Sequence, residues 1–351
     1  MRWGGEGGQA ILTTRGWTRS ERFDQARALV ATYQVQVRGP RGGACYDRCA
    51  MRPLFADPKT DFVFHRLFGT EEHKEILVAL LNALLELDEA HRIVHVDMLS
   101  ADQRPPVNEL KFSIVDVKCR DARGTQYVVE MQVLNVEGFE KRVIYNLAKA
   151  YTSQLAVGQP YPELDDVIGI SICDFELWPQ GDEPRVPMLS RWRMQEQHGG
   201  ARGLGQLQLV FLELPKYDRA REPRTAVEQW AYFFREAEHL TVIPSALASP
   251  PLSAALEAAR TARFTEDEWD AYVRAGIAIQ DGRGALALAE RKGREEGREE
   301  GREEGLRTGV ESLCEVLGIE LTPARRAEIA NLDVQQLDAL LAQLRNTRAW
   351  A

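Results

Sequence analysis

The stretch FSIVDVKCRDARGTQYVVEMQV, Phe112 to Val133, decides the fold. Apolar residues alternate on both sides of Asp121-Ala122-Arg123-Gly124-Thr125, the pattern of two strands joined by a tight turn. Side chains alternate across a strand, so Phe112, Ile114, Asp116 and Lys118 share one face of the first strand. On the second strand Val128, Glu130 and Gln132 share a face, with Tyr127, Val129, Met131 and Val133 on the other. Gly124 stands where a three-residue hairpin loop needs a left-handed residue. With Ala122-Arg123-Gly124 as that loop, the register sets Asp116 opposite Glu130, and Lys118 and Gln132 lie one step away on the same face.

Such a pair has a physical cost. Two carboxylates about 4 Å apart repel by roughly 4 kcal/mol at an effective dielectric of about 20, and burial adds desolvation. A divalent cation removes both penalties. Mg²⁺ suits a site with one or two carboxylates whose remaining positions go to water and substrate phosphate. A solvated outer face of an antiparallel hairpin accounts for the same charges without a metal, and the hairpin alone does not separate the two readings.

Composition narrows the field. A chain of 351 residues holds one large or two medium domains, and 44% hydrophobic with 28% charged residues is the balance of a globular protein. No run approaches about 18 apolar residues, so no membrane partner is expected, and MRWGGEGGQAILTTRG lacks the basic-then-apolar pattern of a signal peptide. Five thinly spread cysteines argue for free thiols in a reducing, cytoplasmic setting, with Cys45 and Cys49 an incidental pair. A net charge of −9 excludes a globally basic nucleic-acid binder, so any DNA contact must be local.

Upstream of the hairpin, residues 1–50 are rich in glycine and arginine without sustained periodicity. We expect a disordered arm or a mis-annotated extension, with translation starting at Met51. Recovery of the tryptic peptide Ala28–Arg38 from the native protein would count against the second version. Pro58–Gly69 has helical spacing; Thr70 reads as the N-cap of a second helix whose stripe is Ile76, Leu77, Leu80, Leu81, Leu84 and Leu85. Ile93–Leu99 reads as a strand, Arg104-Pro105-Pro106 as a loop, and His91 and His95 as surface or capping residues.

Downstream, Phe139–Val157 reads as a helix with Val143, Ile144, Leu147, Tyr151 and Leu155 inward and Arg142, Asn146, Lys149 and Ser153 on the other side. It feeds the apolar strand Val167–Phe175, which predicts a right-handed crossover. Pro179–Gly205 reads as loop and Leu207–Leu214 as a strand. The order gives an α/β core over residues 51–217, then a helical region over 218–290 holding Trp230, Phe233 and Phe234. Within it Leu252–Arg263 and Glu266–Ala278 read as helices.

Gly293–Gly305 is GREE three times followed by glycine, the centre of a charged segment over 291–310. Each interior glycine costs about 1 kcal/mol relative to alanine, and like charges recur at i, i+4, which predicts a marginal helix. Period four precesses about 40° per repeat. The segment reads either as a solvated connector or as a self-pairing helix whose arginine stripes meet the glutamate stripes of a second copy. Residues 311–351 form a small helical module, with Pro323 near a helix start.

Pro58-Lys59-Thr60-Asp61-Phe62-Val63-Phe64 with Leu67-Phe68-Gly69, then Asp116-Val117-Lys118, Glu130-Met131-Gln132, the helix Arg142–Gln154, Cys173-Asp174-Phe175 and the GREE tail together resemble the recombination-promoting nuclease (Rpn) family. These are transposase-like members of the PD-(D/E)XK nuclease superfamily, and the resemblance spans about residues 51–310. It implies a restriction-endonuclease-like α/β core, a mixed sheet flanked by helices, followed by a helical C-terminal region. It also implies Mg²⁺-dependent cleavage of DNA phosphodiesters, Mn²⁺ being an alternative metal. By resemblance Asp116 and Glu130 match the metal-binding carboxylates, and Gln132 falls where the wider superfamily has a catalytic lysine.

Gln132 hydrogen-bonds a water but carries no charge, and Lys118 is the candidate replacement cation. Asp61 is a candidate further acidic contact, or else an exposed helix-start aspartate. Lys141, Arg142 and Lys149 offer a local basic face for DNA phosphates, or a merely solvated helix face. Three functions fit: an active metal-dependent DNA endonuclease linked to recombination or mobile elements, a catalytically weak nuclease fold that binds DNA or a partner, and a scaffold that self-associates into a homo-oligomer through the GREE helix.

Overall fold

The computed structural model describes residues 52–350 apart from 104–112, 157, 180, 182, 183 and 201. The expectations for residues 1–50, Met51, Arg104-Pro105-Pro106 and Phe112 lie outside the described residues. The hairpin has the expected register: β4 (Val117–Asp121) is antiparallel to β5 (Gln126–Gln132), with Val117 opposite Val129 and Lys118 opposite Val128. Asp121 N–H donates to Thr125 C=O at 3.0 Å, closing a loop of Ala122, Arg123 and Gly124, and Gly124 has φ 94°. A side chain at Gly124 would run into the Asp165 carboxyl, so geometry and space both require glycine there.

The first strand is not continuous. Ser113–Ile114 (β3) pairs with Asp102–Gln103 (β2) in a separate ribbon, Val115 N–H donates to Ala101 C=O, and the chain bends at Asp116 before β4. This breaks the single face expected for Ile114, Asp116 and Lys118. With β1 (Val96–Leu99), β6 (Val167–Cys173), β7 (Leu189–Gln195) and β8 (Gly203–Glu213), the six-stranded sheet runs β1-β4-β5-β6-β8-β7. Strands β5, β6 and β8 are parallel, while β1, β4 and β7 run antiparallel to their neighbours. This is the mixed sheet flanked by helices that the resemblance implies.

One sheet face is covered by α1 (Asp61–Phe68), α2 (Lys74–Leu85), α4 (Ala226–Glu236) and α5 (Leu252–Ala258). Their shared core holds Val129 and Met131 of β5 and a ring cluster in which Phe68 lies 5.9 Å from both Trp230 and Phe234. The opposite face carries α3 (Phe139–Thr152), the crossover between the parallel strands β5 and β6. Val128 packs there against Leu147 and Ala150.

Several sequence expectations are corrected. Thr70 is the N-cap residue of a 3₁₀ turn over Glu71–His73 that leads into α2, but its hydroxyl makes no capping bond and donates instead to Arg66 C=O. The strand of 93–99 begins only at Val96, and the helix of 139–157 stops at Thr152. Ile144 faces solvent at 57% exposure and Asn146 is buried, the reverse of the expected faces. Part of the segment read as loop, 179–205, is the edge strand β7 and the start of β8, an irregular pairing with a register shift at Arg193/Met194.

The GREE run is no break. It lies inside α6 (Glu266–Leu317), a single helix of 52 residues opened by a Thr265/Glu268 capping box and closed by Gly318 in the left-handed region. Tyr272 anchors its first turns in the main core; Val310 and Cys314 anchor its last turns against α7 (Pro323–Asn331) and α8 (Val334–Thr347). Helix propagates cheaply between two fixed ends, which outweighs the glycine cost. Among the described residues no helix is long and apolar enough to cross a membrane.

Candidate active site

The bend at Asp116 leaves a backbone donor without a ladder partner. Once the chain turns away to pair with Ala101, Met131 N–H on β5 faces no strand, and a buried N–H must find an acceptor. Asp116 supplies it: Oδ2 accepts from Met131 N at 2.7 Å. The carboxylate is thereby folded against β5, beside the next side chain on that face, Glu130. Glu130 is 6% exposed, and its Oε1 accepts from Asn146 Nδ2 of α3 at 2.8 Å.

Burial pushes the Asp116 carboxyl up to about 7, helped by the charges of Glu130 and Asp61 and opposed by the Met131 N–H and by Arg142. Burial likewise raises Glu130, against the Asn146 hydrogen bond and the Arg142 charge. Asp61, the first residue of α1 behind its Thr60 N-cap, is itself raised by burial, and its charge is felt at Asp116. The three do not close into a ligand cage: among the described residues no group of three or more His, Cys, Asp and Glu side chains is placed to hold a metal. The donor set is two carboxylates plus Asn146 Oδ1, which is buried without a hydrogen-bond partner. Two anionic oxygen donors, a neutral one and open positions fit Mg²⁺, which keeps water and phosphate in its shell.

Lys118 is half-buried opposite Val128, and burial lowers its ammonium pKa. Arg142 is felt at both carboxylates, and its Nη2 donates to Gln132 Oε1. Lys141 is exposed on α3, while Lys149 sits 5.5 Å from the Tyr145 ring, burial lowering its pKa. Asn146 is the site residue that sequence reasoning put on the wrong face. Its signal was spacing: three residues after Val143 and four before Ala150, it interrupts the buried stripe of α3 with a polar side chain.

The raised carboxyl has a stability consequence. Between the ordinary aspartate pKa and about 7 the folded protein holds a proton that the unfolded chain has released, so metal-free stability falls as pH rises through that window. Asp116→Asn keeps an acceptor for Met131 N–H and removes the charge. The variant should melt above the wild type at pH 8 in EDTA, the difference shrinking toward pH 4; equal melting at pH 8 contradicts the buried-charge account.

Comparison with known proteins now bears on this geometry. A family model described as PD-(D/E)XK nuclease family transposase matches residues 58–288, which include the hairpin, α3 and the sheet through β8. No curated protein and no solved structure is matched. On a match covering more than half of its length, the chain belongs to the PD-(D/E)XK nuclease family transposases.

Proposed function

We propose that the protein is a Mg²⁺-dependent DNA endonuclease acting in recombination or mobile-element biology as a recombination-promoting nuclease, with Mn²⁺ as an alternative metal. The observation that supports this most is the buried pair Asp116 and Glu130, held side by side by Met131 N–H and Asn146. Membership of a nuclease family supplies the chemistry such a pair serves. A bound divalent ion would acidify a water and offset charge on the phosphate. The chain's own residues divide the remaining work: Asp116 and Glu130 hold the ion, and Asn146 fixes the Glu130 carboxylate and offers its free Oδ1. Lys141, Arg142 and Lys149 present cations for the DNA backbone along α3. Asp61 is a third charge that favours cation entry. A cytoplasmic location belongs to the same reading, since Cys119, Cys173 and Cys314 are free thiols.

Supercoiled plasmid with 5 to ~10 mM Mg²⁺ tests the reading, ions at that level saturating ordinary metal sites. The wild type should nick or linearise it, while Asp116→Ala and Glu130→Ala should each lose about a hundredfold or more in rate. Cleavage that persists in both variants removes the site assignment. Absence of cleavage with any divalent metal favours a fold that binds DNA or a partner without turnover, the reading that Gln132 in place of a lysine supports.

Self-association belongs to α6. Its Arg and Glu stripes over 293–305, exposed except at Glu303, are self-complementary, so light scattering after gel filtration should give a dimer mass at ~0.1 M salt that falls toward monomer at about 1 M. A monomer at both salt concentrations contradicts this.

A further inference from the structure

Gln132 leaves the carboxylate pair without a cation on its own strand, and the cation next to it stands on α3. We infer that Arg142 is the catalytic cation of this site, positioned by Gln132 Oε1 to meet the negative charge that develops on a DNA phosphate bound at Asp116 and Glu130. The inference rests on the nuclease reading and assigns a chemical part that the family match does not.

Three observations carry it. The first is the hydrogen bond from Arg142 Nη2 to Gln132 Oε1, which ties the guanidinium to the position one step beyond Glu130 on β5. A neutral acceptor there can hold an arginine, whereas a lysine at the same position would repel it. Glutamine on the strand and arginine on the helix therefore form a matched exchange of one strand cation for one helix cation.

The second is rigidity. The Arg142 guanidinium lies 5.6 Å from the Phe139 ring centre, and Phe139 is fully buried, edge-on to Phe175 at 5.5 Å. The third is availability. Arg142 is exposed, and one of its five N–H donors is used by Gln132, which leaves others for phosphate oxygens. Its charge is felt at both carboxylates.

In the reaction a water oxygen bonds to phosphorus as the bond from phosphorus to the leaving sugar oxygen breaks. The water releases a proton to solvent and the leaving oxygen takes one up. The guanidinium gives up no proton, because its pKa lies far above neutrality; it faces the non-bridging oxygens, where charge accumulates.

Full-length wild type, Arg142→Ala, and Arg142→Ala combined with Gln132→Lys are compared in single-turnover plasmid cleavage with Mg²⁺. DNA affinity is measured in Ca²⁺, Mn²⁺ binding by calorimetry, and fold by melting. Arg142→Ala should lose about a hundredfold in rate, the scale of one lost charge-stabilising donor. Mn²⁺ affinity should stay within about threefold and DNA affinity should fall far less than the rate, the split expected for a contact that strengthens in the transition state. Returning a cation to the strand with Gln132→Lys should recover at least tenfold of that loss.

A wild-type rate in Arg142→Ala overturns the assignment. So does a DNA affinity that falls in step with the rate, which makes Arg142 a backbone anchor only, or a folded double variant with no recovery. Cleavage that needs Asp116 but not Arg142 overturns this inference alone. A wild type that cuts no DNA, or that cuts equally with Asp116→Ala, overturns the nuclease reading together with it.

Discussion

The hydrogen bond from Met131 N–H to Asp116 is the constraint on which the site depends. It exists because the chain leaves β5 at Val115 to pair elsewhere, stranding a donor inside the sheet. The same bend that interrupts the strand swings a carboxylate into the gap, next to Glu130. A hydrogen bond to a charged group contributes about 1.5–3 kcal/mol, while burial and the Glu130 charge still push the Asp116 carboxyl up. The bond orients Asp116 without neutralising it. The pair is thus held in place while burial disfavours its charge, a state that a divalent cation relieves.

The two faces of the sheet divide the labour. Tyr127, Val129 and Met131 of β5 point into the large core built on α1, α2, α4 and α5, and fix the strand. Glu130 and Gln132 alternate with them and point to the other side, where α3 brings Asn146 and Arg142 one helical turn apart. Asn146 meets Glu130 and Arg142 meets Gln132, so two successive outward residues of the strand are matched by two successive turns of the helix. The crossover that makes β5 and β6 parallel is therefore also the element that completes the site.

Much of this was legible in the sequence where a local pattern had a single structural solution. The loop Ala122-Arg123-Gly124 set the hairpin register, and the register set Asp116 near Glu130. What was not legible depended on distant partners. Nothing within Phe112–Asp121 announces the bend, because its cause is the pairing of Val115 with Ala101. Asn146 reads as outward because polarity suggests exposure, whereas a buried carboxylate across the gap reverses that rule. Arg142 meets Gln132 because α3 returns over β5, a contact across ten positions that spacing alone does not show. The GREE helix read as marginal because its two anchors, Tyr272 and Val310, lie beyond the repeat.

The central claim is that Asp116 and Glu130 jointly hold a divalent ion. Anomalous diffraction from crystals soaked in Mn²⁺ tests it most directly. The account predicts an anomalous peak bridging the Asp116 and Glu130 carboxylates, within reach of Asn146 Oδ1. A well-ordered pair of carboxylates with no peak between them, or Mn²⁺ bound only elsewhere on the surface, would contradict it.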